Sequence, residues 1–473
     1  MATTTRPTPA RPIRRPGRHA PHVALAAALF AIYALTSVIR YQRYGSPSYD
    51  LIIFTQAVKA YAHLQAPIAP VKGDGFNLLG DHLSPITALL APAWWIAPTP
   101  LALLVAQAAL MAWSAGIISA TAEQLLGRAR GLCIGIAYGL SFGILRAVDW
   151  DFHEIAFAVP LIAMTGRQLI CRRWTRAACW ALPLILVKED LGATFVAAVG
   201  VYIAVASRQR ILGAALATAG LAATAAAIWW IIPHYNPDGT YPYWDRIPGA
   251  PWWHAPIEAA VRLQTWKTLG WTLGITGALA ARSPLALTAV PGLLLRLASA
   301  NPGINGTTAH YSATAMPVMF LAAADAATRL RRSPSIPLRQ YADRATTALP
   351  AVAFACMCSL AYGPAALTSP GAWPDRADRT RDEVVTMVQP GAVVEAGNSI
   401  GAHLAARADV YWMGTPGNPA PEWIINDREE WPDGPDGDAV MAYPAYFHPG
   451  VRYEVVLHRD GITVLRRVAD LGH

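Results

Sequence analysis

Charge is scarce in this chain: Asp, Glu, Lys and Arg make up only 14% of its 473 residues, while 54% are hydrophobic. Soluble domains carry about 25% charged residues, so that class is excluded, and the mean hydropathy is positive at +0.30. Cysteine is scarce too. Cys133, Cys171, Cys179, Cys356 and Cys358 are odd in number, lie in or at the edges of apolar runs and include no CxxC pair. That argues against a disulfide framework and against a cysteine-held metal. The net charge of +8 is spread over short loops rather than gathered on a soluble face, which argues against a nucleic-acid partner and reads instead as a set of topology signals.

What is abundant is apolar sequence in runs of about 17 to 25 residues, long enough to cross a bilayer as helix and too long for barrel strands. Eleven spans are predicted, at about 22–40, 101–121, 132–147, 155–170, 177–188, 191–206, 211–232, 266–281, 284–299, 311–328 and 346–367. Residues 1–21 form a basic arm expected to be a disordered cytoplasmic tail, and Val23 to Ile39 reads as an uncleaved first helix because no small-residue cleavage site follows it. With the arm inside, the arginine-rich loops at 127–131, 167–176, 207–210, 281–283 and 329–344 also lie inside. The expected location is the cell membrane, multi-pass, with the N-terminus cytoplasmic.

The same count puts the loops that carry acids and histidines on the outer face. Arg40, Arg43, Arg146, Arg246, Arg262 and Lys267 share that face and are candidate anion-binding cations. Two further apolar segments are read as interfacial helices: 48–63, where Leu51, Phe54, Val58 and Tyr61 recur at helical spacing while Gln56, Lys59 and His63 take other faces, and 84–97, fourteen residues with two prolines. From residue 368 to 473 the composition shifts to acids, Gly and Pro, with short β-like runs at 392–396, 409–413, 422–427, 453–460 and 461–467. The last two flank Asp460-Gly461, a hairpin signal. The expected architecture is an all-α polytopic membrane protein with a small C-terminal α/β extracytoplasmic domain.

Ionisable residues concentrate in a few outer segments. "DWDFHE" holds Asp149, Asp151, His153 and Glu154 just after Arg146; "LVKEDLG" (186–192) holds Lys188, Glu189 and Asp190; "GDHLSP" holds Asp81 and His82; and His310 and Tyr311 begin a predicted helix. Intramembrane or membrane-edge charge is a functional hypothesis by default. The bland readings are a helix-capping turn with Arg146 and Asp149 paired three apart, a neutralised buried triad at Lys188, and an interfacial anchor at His310 and Tyr311. Asp81 and His82 are candidates to orient a base, contact a sugar, or ligate a divalent cation (Mg or Mn) with Asp149, Asp151, His153 or Glu154, although no strict ligand spacing is present.

"YDLIIFTQAV" (49–58), "NLLGDHLSPITALLAP" (77–92), "DFHEIAFAVPLI" (151–162), "LVKEDLG" (186–192), "HYSATAMPVMFLAAA" (310–324) and "HLAARADVY" (403–411), in that order, resemble a bacterial membrane family, domain of unknown function 2079. That family is similar to the GT-C class of membrane glycosyltransferases, which take a sugar from a polyprenyl-phosphate donor at the outer face of the membrane. The resemblance implies a GT-C-like fold over 22–367, with Asp50 as catalytic base and Lys188 as ligand to the donor phosphate. Arg146 and Arg296 are weaker phosphate candidates. "DWDFHE" is not a close match to the acidic motifs of characterised GT-C members. The partners implied are membrane lipid, a polyprenyl-phosphate sugar and a glycan, lipid or protein acceptor. A phosphate leaves without protonation, so one carboxylate and some cations suffice where a glycosidase needs two acids. A transporter or flippase of lipid-linked glycans and a noncatalytic envelope scaffold are the rival readings. The flippase requires ionisable groups near the bilayer midplane.

Overall fold

The computed structural model describes residues 19–244, 255–299, 301–368, 376–427 and 438–468. The basic arm up to residue 18 and Arg246 therefore lie outside the described residues. Every predicted span overlaps helix, and four helices are long and apolar enough to cross a membrane: Ala20–Gln42, Pro100–Leu126, Arg128–Asp149 and Arg210–Tyr235. Ile155–Ile170, Gly192–Ala206 and Pro284–Ala298 are shorter apolar helices. Pro100–Leu126 packs against the first helix, Arg128–Gly139, Ile155–Ile170 and Ala315–Leu330. Ala315–Leu330 is buried at every residue but Arg329, as expected of a mostly apolar helix at the centre of a bundle, and its buried Asp325 is ion-paired to Arg329.

Several expected boundaries move, for local reasons. The span expected at 177–188 is the helix Trp174–Ala181 followed by a tighter turn, Leu182–Leu186, which contains Pro183. The span expected at 266–281 stops at Gly274, because Gly277 and Ala278 take left-handed backbone conformations. The arginine loop expected at 329–344 is partly helix: Ile336–Ser359 starts with Pro337 in its first turn, a position where the missing N–H costs nothing. Two facing glycines let backbones meet behind the candidate site. A Cβ on Gly220 would stand 2.4 Å from the Gly192 carbonyl oxygen, so neither position admits a side chain.

The segment predicted to lie along the interface is the helix Asp50–Ala62, but it is not half-exposed. Gln56, assigned to a polar face, is buried; its Nε2 donates to the Val410 carbonyl at 2.9 Å and its Oε1 accepts from the Val71 N–H at 3.1 Å. The C-terminal α/β unit covers this helix, and hydrogen bonding across the contact makes the glutamine an interior residue. The unit holds a five-stranded sheet in the order β2-β1-β3-β5-β4, with β1 Val393–Ala396, β2 Asp409–Trp412, β3 Trp423–Asp427, β4 Tyr453–Arg459 and β5 Ile462–Arg467. β1 pairs in parallel with β2 and β3, whereas β5 is antiparallel to β3 and β4. All five coincide with the β-like runs in the sequence. The β4–β5 hairpin turns through Asp460 and Gly461, both at positive φ, the backbone a two-residue hairpin requires.

Candidate functional site

Asp50 is the first residue of its helix, where a carboxylate is favoured by the helix dipole. Its Oδ2 accepts from Ser48 Oγ at 2.7 Å and from Trp150 Nε1 at 3.2 Å. Trp150 belongs to the turn joining Arg128–Asp149 to Ile155–Ile170. Asp151 in that turn sits at φ +67°, a left-handed conformation that Asp tolerates better than bulkier residues. Gln107 holds the turn from the neighbouring helix: its Nε2 donates to the carbonyls of Ala147 at 3.1 Å and Asp151 at 2.5 Å, and its Oε1 accepts from the His153 N–H at 3.1 Å. The reversal points His153 and Glu154 inward and sends the other acids elsewhere.

Asp149 and Asp151 do not join the inward group. Asp151, fully buried, is ion-paired to Arg40; burial pushes its carboxyl up to about 6 despite that cation. Asp149 accepts from the Gly363 N–H at 2.7 Å rather than pairing with Arg146, whose guanidinium donates to the Leu360 carbonyl and lies over the Tyr362 ring. The expected cation surface also changes: Arg40 is spent on Asp151, Arg43 on Asp378 at 3.5 Å and Arg262 on Glu258 at 3.0 Å. The proposed ligand set of Asp81 and His82 with the 149–154 acids does not assemble. Among the described residues, the ligand atoms that converge to within 4.8 Å of one another belong to Asp50, His153 and His310.

Glu154 links this group to a second one. It accepts from Lys188 Nζ at 2.9 Å, and its other oxygen lies 2.5 Å from His153 Nδ1, a charge contact without hydrogen-bonding geometry. Burial opposes ionisation of Glu154, yet the neighbouring His153 and Lys188 outweigh it and hold the carboxyl well below its usual range. Lys188, Glu189 and Asp190 occupy a break in the helix, stitched by Thr224, whose hydroxyl donates to the Glu189 carbonyl at 2.6 Å and accepts from the Ala193 N–H at 2.9 Å. Glu189 in turn accepts from His82 Nδ1 at 2.7 Å and from the Tyr241 hydroxyl at 3.2 Å.

Lys188, Glu189, Asp190, His82, Tyr311 and Arg296 line a cavity of about 530 Å³ whose remaining wall is largely apolar. Arg296 is buried, donates to the carbonyls of Ile304 and Gly306, and keeps Nη1 without a hydrogen-bond partner among the described residues. Asp81 stands at the rim, paired with Lys72 at 3.2 Å and accepting from the Tyr243 hydroxyl, whose ring stacks on His82 at 4.5 Å. Burial alone would raise the Asp81 carboxyl; His82, Lys72 and that hydroxyl lower it below the usual value. Tyr241 and Tyr243 lie in the aromatic loop from His234 to Trp253, whose sequence is read either as cover for a sugar or as interfacial belt, whereas Gln107 and Trp150 are not singled out by the sequence as site residues. Gln107 alone carried a signal, an uncharged polar residue in an otherwise apolar span.

Comparison with known proteins agrees with this architecture. No curated protein matches the chain. Among solved structures, ArnT from Cupriavidus metallidurans bound to undecaprenyl phosphate is 13% identical, with a TM-score of 0.54 and coverage of 97% of this chain and 100% of that one. The apo form of the same protein gives 11% identity, a TM-score of 0.52 and coverage of 95% and 98%. At such identities the likeness is one of fold, a GT-C-like membrane bundle carrying a small C-terminal sheet domain. Residues 40–464 match the family described as "Predicted membrane protein (DUF2079)", and the chain belongs to it.

Proposed function

We propose that the protein is a membrane glycosyltransferase that moves a sugar from a polyprenyl-phosphate donor to a glycan, lipid or protein acceptor on the extracytoplasmic face, with Asp50 as general base. The observation that carries this reading is Arg296, a buried guanidinium on the wall of an apolar cavity with no carboxylate paired to it among the described residues. A buried cation needs an anion, and an anion held on the wall of a largely apolar chamber suits a lipid phosphate. The solved relative bound to undecaprenyl phosphate supports that choice of ligand.

Lys188 shares the phosphate role, with part of its charge already met by Glu154. The departing phosphate needs no proton, so catalysis reduces to holding its charge and removing a proton from the acceptor hydroxyl. Asp50, half-buried and fixed by Ser48 and Trp150, is the carboxylate for the second task. Asp81 and His82 fix the cavity rim through Tyr243 and Glu189 and act as positioning residues. In this topology the arginine loops face the cytoplasm, and 22–367 forms the membrane unit beneath an extracytoplasmic domain.

Mass spectrometry of lipid-linked sugars in cells with and without the gene tests the reading. One polyprenyl-phosphate sugar should accumulate in the deletion strain. The wild-type gene should clear it, and Asp50→Asn, present in membranes at equal level, should not. An unchanged lipid pool, or full clearance by Asp50→Asn, would reject the assignment. A flippase would survive that substitution.

A further inference from the structure

We propose that Asp50, His153 and His310 form a binding site for one divalent transition-metal ion. The three come from separate parts of the chain: the first turn of the helix Asp50–Ala62, the reversal before Ile155–Ile170 and the tight turn His310–Ser312. Their ligand atoms lie within 4.8 Å of one another, a spread that small side-chain rotations close around one ion. His310 is 2% exposed, and neither of its ring nitrogens has a hydrogen-bond partner among the described residues. Buried polar atoms are satisfied in the great majority of cases. A core histidine placed for packing alone would find a carbonyl or hydroxyl for at least one nitrogen. A cation shared with His153 and Asp50 supplies the partner that no neighbouring side chain provides.

Neighbouring contacts hold the candidate ligands close together. Gln107 fixes the His153 backbone, and the His153 ring stacks on His310 at 3.9 Å, so the two rings must tilt apart for their in-plane lone pairs to meet one ion. Glu154 stands 2.5 Å from His153 Nδ1 without hydrogen-bonding geometry, which leaves Nε2 as the nitrogen available to an ion. Ser48 and Trp150 both bond Asp50 through Oδ2. Two imidazoles and one carboxylate suit zinc, manganese or ferrous iron, whereas magnesium and calcium prefer all-oxygen sets. Three protein ligands leave at least one coordination position open, as in catalytic rather than structural sites.

The ion's chemical role rests on the transferase reading above: a coordinated acceptor hydroxyl loses its proton more easily, which shares the work given to Asp50. The site itself rests on geometry alone. The test is therefore a binding measurement without any sugar donor. The full chain, purified in detergent and stripped with a chelator, is titrated with zinc chloride and with manganese chloride, and its metal content is read by elemental mass spectrometry. One saturable equivalent should bind; His153→Gln and His310→Gln should each weaken it by more than about tenfold, and the exposed His63→Gln should not. Asp50→Asn, at a half-exposed position, gives a third ligand variant should the buried substitutions fail to fold. No saturable binding to the wild-type protein, or an affinity unchanged in the ligand variants, would overturn the site. Stoichiometric binding by a protein that leaves the lipid-linked sugars untouched would keep the site and sink the transferase.

Discussion

A lysine bonded to a buried glutamate adds less to stability than its 2.9 Å distance implies, because both charges were taken out of water to form the pair. Lys188 and Glu154 are 14% and 0% exposed at the side chain, so removing one partner leaves the other charged in a poor solvent. Glu154→Gln and Lys188→Met should each cost about 3–5 kcal/mol. The double variant should cost much less than the sum of the two, read as thermal midpoints in detergent; additive losses would mean the ions are not coupled. Asp81 sets the acid limit of the cavity rim. Its folded carboxyl titrates below the ordinary value of 3.8, so its contribution is complete above that pH and is lost as the pH falls through the folded value. The bond from Tyr243 weakens in the same window. Asp81→Asn should bring that loosening to neutral pH, seen as faster proteolysis between residues 236 and 244; equal cleavage in both proteins would detach Asp81 from the rim.

At the scale of elements, the break at 188–190 depends on backbones that approach where side chains are missing. Gly220→Val would drive its Cβ into the Gly192 carbonyl, pushing the helix Arg210–Ala226 away and moving Thr224 off the Glu189 carbonyl. Overpacking of this kind costs about 1–3 kcal/mol, and the displaced Thr224 should also weaken retention of polyprenyl phosphate on the purified protein. A variant with a lower thermal midpoint and unchanged lipid retention would show that the contact serves packing alone. Such contacts explain what the sequence could and could not convey. Strands β1 to β5 were legible because apolar alternation and turn residues are local signals. The inward placement of Asp50, His153, Lys188 and His310 was legible only as density of ionisable residues. Which acids turn inward was not, since it depends on Arg40, 111 residues before Asp151, and on Gly363, 214 residues after Asp149. Gln56 misled for the same reason: its partners lie on Val71 and Val410, and a hydrophobic pattern cannot register a cover supplied by the far end of the chain.

Across the whole molecule, the site hypothesis stands or falls with sidedness. The C-terminal sheet unit packs on the helix Asp50–Ala62, with Tyr44 bonding Asp382 and Tyr411 bonding Asp74, so that unit, Asp50 and the cavity rim share one face. The loop at 207–210, between Gly192–Ala206 and Arg210–Tyr235, carries Arg208 and Arg210 and belongs to the opposite face if the excess of arginine marks the cytoplasm. On the transferase reading proposed above, the donor is then met from outside, where nucleotide sugars are absent, and so has to be lipid-linked. Single cysteines in a background lacking the five native ones decide this: in whole cells a membrane-impermeant maleimide should label Glu454→Cys on exposed strand β4, whereas Ser207→Cys should react only after the membrane is opened. Labelling in the reverse order would put Asp50 and Arg296 in the cytoplasm beside soluble sugar nucleotides, and the argument for a lipid-borne donor would lose its ground.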